Sequence, residues 1–306
     1  MASPRIALGP TPSDFAADAV RRGGGTPVAL GEPAEGLVWL APHDPAGLRE
    51  ALAATPAIRW VQLPFAGVEG YASSGVLADG RTWTCAKGSY AEPVAEHALT
   101  LALAGLRHLP TRVRASSWGR AAGLSLYDQP VTIVGGGGIT TSLLGLLAPF
   151  RVRATVVRRQ AQPLPGAAAV VATDGLHQAL EGALVVFVAL SLTPETTHII
   201  GAPELGLLGP DSWLVNVARG RHVDTEALVA ALDAGTFGGA ALDVTDPEPL
   251  PDGHPLWGRD NCLITPHTAD TPEMVAPLLA ARIATNVERF AAGQELEGLV
   301  DPAAGY

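Results

Sequence analysis

The chain has 306 residues, of which 47% are hydrophobic and 16% charged, and a formal net charge of −10. That much apolar content excludes an intrinsically disordered chain, and the length exceeds what one core usually fills, so two domains are expected. The negative balance, with no basic run, argues against nucleic acid or an anionic membrane as a partner.

From residue 5 to about residue 106, short apolar strands (6–8, 37–40, 58–63 and 82–86) alternate with helix patterns (14–21 and 45–53). Such alternation predicts a small α/β domain on a parallel sheet covered on both faces. The stretch LPFAGVE, residues 63–69, follows the third strand with a glycine at its turn. Parallel sheets present ligand-facing loops there, and its backbone N–H groups suit a small carboxylate. Residues 92–109 read as a helix apolar on most faces, a connector that leaves the first domain and packs between domains or subunits. His97 on it reads as a satisfied core histidine, and His108 suits the helix C-terminus.

Residues 129–159, QPVTIVGGGGITTSLLGLLAPFRVRATVVRR, organise the rest: a strand at 131–134, four glycines, a helix at 139–147 and a strand at 152–157. Glycines at a strand-to-helix turn let backbone approach a diphosphate, and the helix's unpaired first N–H groups attract its charge. Gly135 and Gly137 fill the first two positions of the G-x-G-x-x-G fingerprint, but Thr140 or Thr141 stands where the third glycine belongs. A threonine there is expected to push the helix outward slightly or to place its hydroxyl near the phosphates. About twenty residues on, where NAD-binding units carry an acid for the ribose 2′-hydroxyl, stand Arg158 and Arg159. Arginine pairs with a 2′-phosphate, so NADP(H) is favoured over NAD(H).

Further strands at 183–190, 212–217, 239–244 and 262–264 alternate with helices at 173–180, 203–208 and 224–234, the last opened by Asp224 and Thr225. A long helix at 273–292 leads to a tail, residues 299–306, expected to rejoin the first domain. The fold class expected is α/β: two doubly wound parallel-sheet domains, the larger a Rossmann dinucleotide-binding domain inserted in the smaller. The boundaries expected are 1–106 plus 281–306 for a substrate-binding domain and 107–280 for the dinucleotide-binding domain.

Cys85 and Cys262 lack C-x-x-C spacing and read as reduced core residues, and no metal site is expected. No run approaches the roughly 18 apolar residues of a membrane helix. The first residues carry no leader pattern, so a cytoplasmic location is expected.

Three charged residues follow apolar strands: Arg219 after LVNVA, Glu248 in the turn after ALDV, and His267 after LITP. The carboxyl ends of strands in an open α/β sheet form the ligand crevice, so all three are expected to face it. Reducing a 2-keto acid takes a hydride to C2, a proton to the keto oxygen and a cation on the carboxylate. His267 can donate the proton, a neighbouring Glu248 would raise its pKa, and Arg219 offers a planar fork for the carboxylate. The nicotinamide supplies the hydride.

These stretches, with WVQLPFAGVE (60–69), AEPVAEHAL (91–99), LSLTPETTHII (190–200), ALDVTDPEPLPDGHPLW (241–257) and the closing LVDPAAGY, resemble the D-isomer-specific 2-hydroxyacid dehydrogenases over essentially the whole chain. The resemblance puts the family's Arg, Glu and His catalytic set on Arg219, Glu248 and His267. It implies cofactor contacts at Gly138, Ile139, Arg158, Leu190, Ser191, Val217 and Asp243, and substrate-carboxylate contacts on the backbone of Ala66 and Gly67. It also implies a homodimer formed through the cofactor domain. The arginines at 158 and 159 look like those of NADPH-using glyoxylate and hydroxypyruvate reductases.

LPFAGVE carries no cation for a phosphorylated substrate, so a small unphosphorylated 2-keto acid, reduced to the D-2-hydroxy acid, is favoured. Arg59 and Lys87 keep D-3-phosphoglycerate dehydrogenase activity as an alternative. A non-catalytic NAD(P)-sensing binding protein is the other, suggested by the irregular glycine motif.

Overall fold

Runs in which every residue is buried, such as Gly36–Trp39, Val185–Val188 and Trp213–Asn216, become strands of parallel sheets covered on both faces. The computed structural model describes residues 3–301. It divides into two compact units, one holding the residues up to Tyr90 with those from Thr271 onward, the other holding Ala91–Asp270.

The first unit contains β1 (Arg5–Gly9), α1 (Asp14–Arg22), β2 (Thr26–Ala29), β3 (Gly36–Trp39), α2 (Pro45–Ala54), β4 (Trp60–Gln62), α3 (Glu69–Ser74) and β5 (Thr82–Thr84). Its strands pair in parallel in the order β2-β1-β3-β4-β5, a doubly wound arrangement. Ser13 and Asp44 cap α1 and α2 by accepting from Ala16 and Gly47 N–H groups. From the far end of the chain comes α10 (Pro272–Ala292), which packs on α1. A Cβ on Gly23 would lie 2.4 Å from the Ala284 carbonyl oxygen, so glycine permits the contact. Beyond α10, Val300 N–H donates to Trp83 O at 2.9 Å and Cys85 N–H to Gly298 O at 2.8 Å, extending the sheet past β5. The expected return of the tail is therefore met at residues 299–300; residues 302–306 lie outside the described residues.

The second unit contains α4 (Ala91–Leu106), α5 (Leu109–Arg114), β6 (Pro130–Val134), α6 (Gly138–Leu147), β7 (Arg153–Val157), β8 (Ala169–Val171) and α7 (Leu176–Leu180). It continues with β9 (Val185–Val188), α8 (Ala202–Leu205), β10 (Trp213–Asn216), α9 (Thr225–Ala234), β11 (Gly239–Leu242) and β12 (Cys262–Ile264). All strands are parallel, in the order β12-β11-β10-β9-β6-β7-β8, a Rossmann-type sheet.

Packing divides the chain at 90/91 and 270/271, where the sequence reading places the breaks at 106/107 and 280/281. The reason is local. α4 packs within the second unit: it lies on α6 and β10, and a Cβ on Gly105 would stand 2.3 Å from the Trp213 ring. α10 belongs whole to the first unit, where it packs on α1. No helix among the described residues is long and apolar enough to cross a membrane.

Candidate active site

The seven-stranded sheet reverses its winding between β6 and β9, and at such a switch point the strand exits part to leave a crevice. Gly135 follows β6 there with φ 119°, and a Cβ on it would stand 2.1 Å from the Ala189 carbonyl oxygen. Only glycine lets these two exits approach so closely. Gly137 is the N-cap of α6 and Gly138 its first residue; no side chain caps the helix, and the space beside Gly137 is open. The first N–H groups of α6, those of Gly138 and Ile139 among them, can therefore meet an anion.

The sequence reading gives Thr140 two possible roles, and the structure shows another. The residue is fully buried, and its Oγ1 donates to Gly135 O at 2.9 Å, closing the turn from inside. Arg158 follows β7 and crosses the glycine turn, its Nε 2.9 Å from where a Cβ on Gly136 would be. Arg159 is exposed. Its charge reaches Glu195, whose carboxyl is held below its usual value chiefly by a hydrogen bond with Thr193, then by backbone and by Arg159. Leu190 N lies 3.0 Å from the same ideal Cβ on Gly135, and Ser191 O accepts from the Thr196 hydroxyl at 2.9 Å.

Arg219 leaves β10 on a turn built by a buried asparagine. Asn216 Nδ2 donates to Arg219 O at 2.9 Å, while its Oδ1 accepts from Ala218 N–H at 3.0 Å. Arg219 N–H donates to Nδ1 of the buried His222 at 3.2 Å, and its Nη1 donates to Ala218 O at 2.7 Å. Val217 N–H reaches back to Val188 O at 3.3 Å, keeping this exit beside that of β9. A Cβ on Gly220 would lie 1.9 Å from Thr245 O, so the turn is seated against the loop that leads to Glu248.

His267 and Glu248 meet. Nδ1 of the imidazole donates to Glu248 Oε1 at 2.5 Å, and both side chains are partly exposed, 41% and 39%. Nδ1 is thus committed to the carboxylate, and Nε2 is the nitrogen left to face outward. His267 has φ 50°, a left-handed conformation that a non-glycine residue holds only when its surroundings fix it. Its N–H donates to Asp243 O at 2.8 Å.

Asp243 itself is buried, 2% exposed, and both carboxylate oxygens are engaged by protein. Oδ1 accepts from Thr265 Oγ1 at 2.6 Å and Thr268 N–H at 2.9 Å, and Oδ2 from Ala269 N–H at 3.1 Å. His97 Nε2 lies 3.3 Å from Oδ1. Burial pushes this carboxyl up, but hydrogen bonds from His97, Thr265 and the two backbone N–H groups outweigh burial and hold it below the usual value. Asp270 behaves oppositely: burial raises it, the Asp243 charge adds to the rise, and the charges of His267 and Arg219 oppose it. Arg219 and His267 thus act electrostatically on one shared carboxyl.

The description "D-isomer specific 2-hydroxyacid dehydrogenase, NAD binding domain" matches residues 97–269. The chain belongs to the D-isomer-specific 2-hydroxyacid dehydrogenases. It is 42% identical to an "Uncharacterized protein in proB 3′region" of Corynebacterium melassecola, over 81% of this chain and 84% of that one. Glyoxylate/hydroxypyruvate reductase A of Yersinia enterocolitica is 32% identical over 58% of this chain and 56% of its own. A D-isomer specific 2-hydroxyacid dehydrogenase from Xanthobacter autotrophicus, solved in complex with NADPH and MES, is 28% identical with a TM-score of 0.85 and covers both chains fully.

A D-2-hydroxyacid dehydrogenase is an NAD(P)-dependent oxidoreductase, and the turn at Gly135–Gly138 fits the dinucleotide: an uncapped helix end, open space and a glycine a side chain would block. Among the described residues no cluster of metal-ligating side chains occurs. In the first unit, Ala66 and Gly67 lie in the loop after β4, where Phe65 O accepts from Ala86 N–H at 3.2 Å and Cys85 Sγ lies 3.8 Å from Ala66 O.

Arg219, Glu248, His267 and Asp243 stand out in the sequence, but the residues that hold them do not. Asn216 was visible as a polar residue inside an apolar strand. His222 and Thr265 gave no comparable signal, because their partners become neighbours only through turns or across distant parts of the sequence.

Proposed function

We propose that the protein reduces a small unphosphorylated 2-keto acid of the glyoxylate and hydroxypyruvate class to the D-2-hydroxy acid, with NADPH preferred. The observation carrying this reading is the 2.5 Å contact between His267 and Glu248 at the carboxyl end of the strands, the end that also bears Arg219. Glu248 holds the ring by Nδ1 and balances the imidazolium's charge, so Nε2 gives its proton to the keto oxygen. Arg219 grips the substrate carboxylate through its fork. The nicotinamide, when bound, supplies the hydride.

For the cofactor, Gly135, Gly137, Gly138 and Ile139 cradle the diphosphate, and Leu190, Ser191, Val217 and Asp243 line the remainder of the crevice. Arg158 takes the 2′-phosphate. Its place across the glycine turn supports this, as does the NADPH in the Xanthobacter relative. Arg159 shares its charge with Glu195 and contributes less. In the first unit the backbone N–H groups of Ala66 and Gly67 serve as carboxylate donors.

The protein acts as a homodimer paired through the second unit. Leu109, Val113, Trp118 and Trp257 are 47%, 83%, 97% and 45% exposed, and a groove of about 320 Å³ runs between α5 and the segment around Trp257. Apolar exposure on this scale suits a second copy of the chain. Sedimentation of wild type against Trp118→Ser tests the pairing. The two free, buried cysteines suit the cytoplasm.

The function is tested by following NADPH and NADH consumption with glyoxylate, hydroxypyruvate, phenylpyruvate and 3-phosphohydroxypyruvate, in wild type and His267→Ala. Turnover of the unphosphorylated acids by wild type alone is expected. Equal rates in both proteins, or turnover confined to the phosphorylated acid, would overturn the reading.

A further inference from the structure

We infer that His97 is a positioning residue for His267, holding the catalytic loop in place through the buried carboxylate of Asp243; the inference rests on the reading of His267 as proton donor. The loop from Thr265 to Ala269 is wrapped around that one carboxylate. Thr265 Oγ1, Thr268 N–H and Ala269 N–H donate to its oxygens at 2.6, 2.9 and 3.1 Å, and His267 N–H donates to its main-chain carbonyl at 2.8 Å. His267 keeps its left-handed backbone, φ 50°, inside this ring of bonds.

His97 closes the ring from a different element. Its Nε2 lies 3.0 Å from Thr265 Oγ1 and 3.3 Å from Asp243 Oδ1. Proton counting fixes the direction of these contacts. Thr265 has one hydroxyl hydrogen, which is given to Asp243, so its oxygen can only accept from His97. Nε2 of His97 therefore carries a proton shared between the threonine oxygen and the carboxylate. A buried carboxylate deprived of one donor draws in water or shifts its remaining partners, and here those partners are the loop itself.

The element that carries His97 matters as much as the bond. α4 is largely buried and packs on α6, the helix whose first turn forms the glycine cradle. A single side chain thus ties the loop bearing the proton donor to the framework that bears the dinucleotide turn. Sequence alone marks His97 as a core histidine, since Thr265 lies 168 positions away.

His97→Leu removes the donor at similar bulk, whereas His97→Gln keeps an N–H at nearly the same reach. With NADPH and the best-used 2-keto acid, His97→Leu is expected to lower kcat by about tenfold to a hundredfold, as small displacements of a reacting group do. The Kd for NADPH, read by fluorescence titration, should stay within about twofold, and His97→Gln should recover most of kcat. Amide hydrogen exchange should speed up at Thr268 and Ala269 in the leucine variant only. An unchanged kcat in His97→Leu overturns the inference, as does equal impairment of both variants or a loss confined to NADPH affinity. If wild type reduces no 2-keto acid, the functional reading falls. The loop-holding role of His97 is then decided by exchange alone, and equal protection in wild type and His97→Leu would refute it.

Discussion

Thr140 Oγ1 donates to the carbonyl of Gly135 at 2.9 Å, so the residue that breaks the glycine fingerprint also fastens the turn it interrupts. The hydroxyl is turned inward and fully buried. Thr140→Val should therefore cost about 1 kcal/mol of stability, the usual worth of one buried hydrogen bond. Its Kd for NADPH should stay close to wild type. A weakening beyond about tenfold would mean the hydroxyl serves the phosphates instead.

Arg158 lies over Gly136, its Nε 2.9 Å from where a Cβ there would be. Removing it by Arg158→Ser should reduce the ratio of kcat/KM for NADPH to that for NADH by about tenfold to a hundredfold, the worth of one charge-assisted phosphate contact. Arg159→Ser should have a smaller effect, because Arg159 also serves Glu195. Equal effects of the two substitutions would count against the assignment.

The His267 to Glu248 contact makes a graded prediction. His267→Ala should lower kcat for reduction by about 10² to 10⁴, the usual span for a lost general acid. Glu248→Gln keeps an acceptor for Nδ1 but removes the charge, and should fall between that variant and wild type. NADPH affinity should be preserved in both, since neither side chain belongs to the glycine turn.

Asp270 and Asp243 should move acid stability in opposite senses. Burial raises Asp270 above its ordinary 3.8, so the folded chain binds that proton more tightly than the unfolded chain. Stability then falls as pH rises from about 3.8 through the raised value, and Asp270→Asn should raise Tm at about pH 7, with the gain fading toward pH 4. Asp243 is held below 3.8, so its contribution is complete above that pH and is lost as pH falls through the folded value. Asp243→Asn should accordingly lower Tm at about pH 7. Thermal melts across this range check both signs.

Much of the fold was legible because most parallel strands here are short, predominantly apolar runs broken by turn residues. β12 matches the expected 262–264, and α10 differs from expectation by one residue. β2 and β8 escaped notice. TPVA is only half-buried and carries a proline, and AVV lies at the sheet edge with no fully buried residue. The division by packing differs from the expected boundary because the apolar face of α4 says that it is buried, not against which partner. In the site, Arg219, Glu248 and His267 announced themselves by following apolar strands. Thr265 and the role of His97 did not, since those two residues stand 168 positions apart and meet only in space; Asn216 shows in sequence only as a polar residue in an apolar run, and His222 acts within a tight turn whose geometry no pattern reveals.

The first unit is written in two instalments, with all of the second between them. Its N-terminal sheet leaves the ribosome before α10 exists to cover α1, and before residues 298–300 can pair beside β5. The intervening unit is continuous, so nothing obliges it to wait. The first unit can therefore be completed only after the whole of the second has been synthesised, and a chain cut at residue 270 would hold the second unit entire beside an incomplete first.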